Sequence, residues 1–107
     1  MFALGLRVAR VGGSDRQAMT LRKEFTIVNK LGLHARPAAQ FVRLANRFNC
    51  EIWVEKDAEQ VNGKSIMGLM MLAAGHGSRI SVMAEGDEAE AAIRAVEELV
   101  ASGFKEE

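Results

Sequence analysis

From Leu21 to Val28 apolar and polar residues alternate around Phe25 and Ile27, which predicts a strand with one buried face. Past "KLGLHARP" the period lengthens. Ala38, Phe41, Val42, Ala45 and Phe48 recur at helical spacing between about Ala35 and Phe48, while Gln40, Arg43, Asn46 and Arg47 fall opposite, so an amphipathic helix follows. "EIWVEK" returns to alternation, Ile52 and Val54 against Trp53, then turns near Asp57 into a short partner ending at "QVNG", the pattern of a hairpin. Ser65 stands before "IMGLMMLA", where its hydroxyl caps a short helix running to Gly75. "GHGSRISVMAEG" is a glycine turn followed by a strand through Ile80, Val82 and Ala84. "DEAEAAIRAVEELVASGF" opens with acidic residues suited to a helix N-terminus, buries Ala92, Val96, Leu99 and Val100, and stops at Gly103.

Strand, helix, strand, strand, helix, strand, helix with short links is the order of an α+β open-faced sandwich, an antiparallel or mixed sheet with its helices on one face. The chain's 107 residues suffice for one such domain. Residues 1–18 are expected to be a flexible N-terminal extension, because Gly12 and Gly13 interrupt them and Met19 opens the first clear element as a natural start of its own. The domain is then 19–107.

Half the residues are hydrophobic and a quarter charged, the balance of a packed soluble protein. Fourteen basic residues match fourteen acidic ones, so no net field draws the chain to nucleic acid or an anionic membrane, and neither is expected as a partner. Recognition by charge has to be local. Cys50 is alone, which excludes an internal disulfide and a cysteine-rich metal site. The leading apolar stretch is broken by Arg7 and Arg10 and lacks the length of a secretory signal, so a cytoplasmic, reducing location is expected.

The candidate chemistry lies at the start of the first helix. His34 is set at its N-terminal edge, with Pro37, the chain's single proline, in the first turn, where a missing N–H is tolerated. A neutral imidazole is a nucleophile near neutral pH, and unpaired backbone N–H groups at a helix start stabilise an anion attached to it, most obviously a phosphoryl group. Arg36 adds a guanidinium able to hold two phosphoryl oxygens at once. Gly32 permits a tight turn and keeps bulk away, as in-line transfer requires. Elsewhere, "GKS" at 63–65 lacks the earlier glycine of a phosphate-binding loop, since Ala58 stands there. His76 has no partner that would make it a metal ligand with Cys50, and no metal or cofactor is expected.

"GLHARPAAQFV" resembles the phosphorylation-site segment of the histidine-containing phosphocarriers (HPr) of the bacterial sugar phosphotransferase system. "VNGKSIMGLMMLAAGHGSRISVMAEGDE" resembles that family's regulatory-serine segment and last strand, so the resemblance runs from about Thr20 to the end. It implies a four-stranded antiparallel sheet covered on one face by three helices. It also implies a stoichiometric carrier rather than an enzyme: His34 takes a phosphoryl group on Nδ1 from phospho-enzyme I and passes it to enzyme IIA components, with Arg36 steadying the phosphate. Ser65 matches the serine that an HPr kinase/phosphorylase modifies, which slows acceptance at the histidine and can create a co-repressor for a transcriptional regulator. A regulatory module of the same family, on the nitrogen branch or acting through phosphoserine alone, is the alternative.

Beside such a site, Ala35 and Ala39 on the first helix and Ile66, Met67, Met70 and Met71 on the second could form an apolar docking surface. Methionine adapts to several partners. Met67 and Met70 are expected to be its exposed pair, and Arg43 and Arg47 a basic margin for acidic partners of a chain acting as a monomer.

Overall fold

The computed structural model describes residues 7–10 and 19–105. Its strands are β1 (Arg7–Arg10), β2 (Met19–Thr26), β3 (Glu51–Lys56), β4 (Glu59–Asn62) and β5 (Arg79–Glu85), and its helices α1 (Ala35–Ala45), α2 (Ile66–Met71) and α3 (Ala89–Ala101). They form one antiparallel sheet in the order β1-β2-β5-β3-β4. The four strands β2 to β5 and three helices are the expected open-faced sandwich.

Register explains why one face is covered. Lys23, Val82, Val54 and Val61 lie in one cross-strand row, and Leu21, Ala84 and Ile52 in the next, so the alternating apolar set of every central strand faces the same way. Lys23 is the polar member of this face, and its Nζ meets Glu97 Oε1 of α3 at 2.9 Å, tying sheet to helix. Over these rows Phe41 of α1, Leu69 of α2 and Val96 of α3 close the core with Phe25, Ile27, Ile52 and Ile80. On the opposite face Arg22 reaches across β5, donating to Ser81 Oγ and Glu55 Oε1, each at 3.2 Å.

Several boundaries and one strand differ from the sequence reading. The stretch 1–18, read as an extension outside the domain, contributes β1, which adds a fifth strand at the β2 edge with Arg7 opposite Arg22 and Arg10 opposite Met19. Residues 1–6 and 11–18 lie outside the described residues. β2 ends at Thr26 rather than Val28 because the next backbone groups bond a loop: Ile27 N–H donates to Ser78 O and its carbonyl accepts from Gly77, both at 2.8 Å. α1 stops at Ala45, where Arg47 and Phe48 bond three residues back and tighten the last turn, leaving Val42 and Phe48 half-buried rather than in the core. α2 stops at Met71 instead of Gly75: Ala73 has φ 53, a left-handed conformation that ends the helix without glycine. Along α3 Ile93 takes the buried place expected of Leu99, which is half-buried. After Gly103, at φ 67, the chain folds back and puts Phe104 fully into the core.

Candidate functional site at the start of helix α1

The loop between β2 and α1 is held from three sides. Asn29, buried, donates from Nδ2 to Gly32 O at 2.8 Å, while Gly32 N–H closes the turn onto Asn29 O at 3.2 Å. Leu33 N–H donates to Ala74 O at 2.9 Å, which joins this loop to the segment after α2. Gly32 is at φ 70, and a Cβ there would collide with Ala74 O and lie 2.6 Å from Gly75 Cα. Only glycine satisfies both the turn and the close approach.

This frame fixes His34. Its N–H donates to Gly32 O and its carbonyl accepts from Ala38, each at 2.9 Å, so it is the N-cap of α1 with extended backbone. The imidazole, half-exposed, makes no capping hydrogen bond to the helix. The amides of Ala35 and Arg36 precede the first intrahelical bond, and Pro37, fully buried, has none to offer. Two backbone donors and the positive end of an eleven-residue helix therefore stand beside the ring. Arg36 is exposed, and no hydrogen bond or ion pair holds its guanidinium among the described residues.

α2 packs beside α1, and the bond from Leu33 N–H to Ala74 O, three residues past α2, sets the far end of α2 against the histidine loop. Ser65 is its N-cap, accepting from Gly68 N–H at 3.0 Å; the loop before it is braced by Lys64, whose Nζ donates to Cys50 O at 2.8 Å and Phe48 O at 3.2 Å. About 9 Å of helix separates Ser65 from the His34 end. Leu69 and Leu72 point inward, so the rest of this short helix is left outward: Met67 is 70% exposed, Met71 67%, Met70 43% and Ile66 41%. The expected pair, Met67 and Met70, is exposed, but the most exposed pair is Met67 and Met71, four residues apart on one face, with Met70 and Ile66 forming a less exposed ridge. Ala35 is exposed and Ala39 half-buried on α1, and Arg43 and Arg47 are exposed along it.

Leu31, 70% exposed in the histidine turn, was missed by the sequence reading. The sequence carried half of the signal: two leucines flank a turning glycine in "LGL", so one of them is left outside, and the structure buries Leu33. Among the described residues no cluster of His, Cys, Asp and Glu could hold a metal ion, and no helix is long and apolar enough to cross a membrane.

Residues 21–102 match the family model described as the phosphorylation site of the HPr component of the phosphotransferase system. The phosphocarrier protein HPr of Neisseria meningitidis serogroup A is 51% identical over 87 residues, 80% of this chain and 97% of the relative. The HPr-like protein Crh of Halalkalibacterium halodurans is 51% identical over 76 residues, covering 71% and 90%. A crystal structure of HPr from Thermoanaerobacter tengcongensis superposes with a TM-score of 0.78 at 51% identity, covering 80% of this chain and 97% of that one. With the family model matching residues 21–102 and these relatives about half identical over most of their own length, this chain belongs to the HPr family of phosphocarrier proteins.

Proposed function

We propose that His34 is the residue through which this phosphocarrier works, receiving a phosphoryl group from phospho-enzyme I and handing it to enzyme IIA components of a sugar phosphotransferase system. In each step a ring nitrogen lone pair forms the bond to phosphorus as the donor's bond to phosphorus breaks, and the reverse exchange releases the group. The observation that supports this reading is the placement of His34: backbone fixed at both its N–H and its carbonyl, ring half-exposed and not spent on capping, with the amides of Ala35 and Arg36 next to it. Those amides and the Arg36 guanidinium stabilise the phosphoryl oxygens, while the open setting lets donor and acceptor proteins reach the same atom in line.

The exposed ridge of α2, with Ala35, Ala39 and Leu31, is the apolar docking surface, and Arg43 and Arg47 extend it with positive charge toward acidic partners. Ser65 is the regulatory site, a substrate for an HPr kinase/phosphorylase. Its separation from His34 by the length of α2 means that a phosphate there acts on docking, by repelling an acidic partner or recruiting a transcriptional regulator, rather than by covering the ring. The relay runs in the cytoplasm, the location that the sequence reading expects for this chain.

Intact-mass spectrometry after incubation with phosphoenolpyruvate and enzyme I tests the central point. One acid-labile phosphoryl group is expected on the native chain and none on His34→Ala. Acid-labile phosphate retained by His34→Ala would refute the assignment.

A further inference from the structure

The outward face of α2 concentrates thioether sulfur. Of six methionines three lie on this six-residue helix, and Met67 and Met71 expose 70% and 67% of their surface. Met83 is the internal contrast, 8% exposed beneath Arg22, which approaches its sulfur to 3.4 Å. Susceptibility of methionine to oxidation follows exposure, and the sulfoxide replaces a flexible apolar side chain with a polar, chiral one. From this we propose that Met67 and Met71 form an oxidation site at which peroxide lowers the affinity of the α2 face for its partners, a proposal that rests on the reading of this face as the docking surface.

The step balances without a cofactor. A sulfur lone pair attacks one peroxide oxygen, the O–O bond breaks, the thioether is oxidised by two electrons to the sulfoxide, and the peroxide is reduced to water. The fold survives, because α2 is anchored through Leu69 and Leu72 and capped by Ser65 on Gly68 N–H, none of which involves the exposed sulfurs. A competing thiol is sheltered: Cys50 is buried, and burial pushes its pKa above the ordinary thiol value, with Lys64 opposing the rise and Glu88 and Glu51 adding to it. Its reactive thiolate is correspondingly scarce. A sulfoxide buried unpaired against an apolar partner surface weakens docking about tenfold per pair of contacts. The transfer step itself, set by His34 and its amides, is left alone.

The test treats the full chain with hydrogen peroxide, quenches with catalase, maps sulfoxides by peptide mass spectrometry, and measures phosphoryl acceptance from phospho-enzyme I. Met67 and Met71 should each gain one oxygen before Met83 or Cys50 reacts. KM should rise about tenfold with kcat held, and recover after treatment with methionine sulfoxide reductases for both epimers. In the Met67→Leu/Met71→Leu variant, compared with its own untreated rate, peroxide should have no such effect. Complete oxidation of both methionines with KM unmoved would overturn the proposal, as would prior oxidation of Met83 or Cys50. An unoxidised Met67→Glu variant separates the two levels of inference. If its KM is unchanged, the docking reading fails and this proposal with it; if its KM rises while the sulfoxides have no effect, the oxidation site alone fails.

Discussion

At the scale of single residues, Gly32 shows how a residue without a side chain fixes the backbone of the proposed phosphorylation site. Its φ of 70 and its contact with the 74–75 backbone are both needed for Leu33 to reach Ala74 O, and that bond fixes where His34 enters α1. Gly32→Ala should therefore cost about 2 kcal/mol or more of stability, from left-handed strain plus backbone collision. It should also slow acceptance of phosphate, because the ring moves with the loop. Chemical denaturation and single-turnover transfer would show both losses; native stability with native rate would mean that the loop relaxes and that the Leu33–Ala74 bond does not set the histidine. Much of this site was legible beforehand, because His34, Arg36, Pro37 and Gly32 are adjacent in the chain and local rules of helix starts apply to them. Leu31 was harder to read: "LGL" signals that one leucine of the two stays outside, but which one depends on the way the turn at Gly32 points, and that is decided by the contact with Ala74, far along the chain.

Among the elements, α2 is where sequence pattern was weakest and where the proposed docking and regulatory residues are densest. "IMGLMM" is apolar all round, so periodicity alone could not say which side faces inward. Packing decides: a helix of six residues beside α1 buries one side, Leu69 and then Leu72 take it, and the methionines are left outside. Its stop was equally hidden, because Ala73 rather than a glycine adopts the left-handed turn. The N-cap was plain, since a serine ahead of a helical run is a local signal, and the bond from Gly68 N–H to Ser65 Oγ fulfils it. Two substitutions separate the capping by that serine from its proposed regulatory role. Ser65→Ala should lose about 1 kcal/mol through the missing cap, read as a lower denaturation midpoint, with little change in transfer. Aspartate caps as well as serine does but brings a charge to the proposed docking face, so Ser65→Asp should keep its midpoint and accept phosphate more slowly. Equal rates for the two variants would remove charge at this position as a regulatory device.

For the molecule as a whole the question is what β1 contributes. It pairs with β2 alone, opposite residues 19–22, at the end of β2 remote from the histidine loop. About 13 Å of strand lies between Arg22 and Thr26 before that loop begins. Four residues of edge pairing, offset by the entropy of ordering them, leave a net gain of about 1 kcal/mol. Nothing in "RVAR" marks so short a strand, which exists because the β2 edge offers unpaired backbone groups. Deleting residues 1–18 should therefore lower the denaturation midpoint slightly and leave the transfer rate unchanged; a slower rate would show that the extension bears on the site from a distance. The same deletion uncovers the edge of β2, yet Arg22, Lys23 and Glu24 on it oppose strand-to-strand association, and the other edge, β4, is short with Glu59, Gln60 and Asn62 exposed. Light scattering should then give the mass of one copy for both the full and the shortened chain. A doubled mass on shortening alone would assign β1 a different part, that of a shield over a sheet edge that otherwise pairs with a second copy.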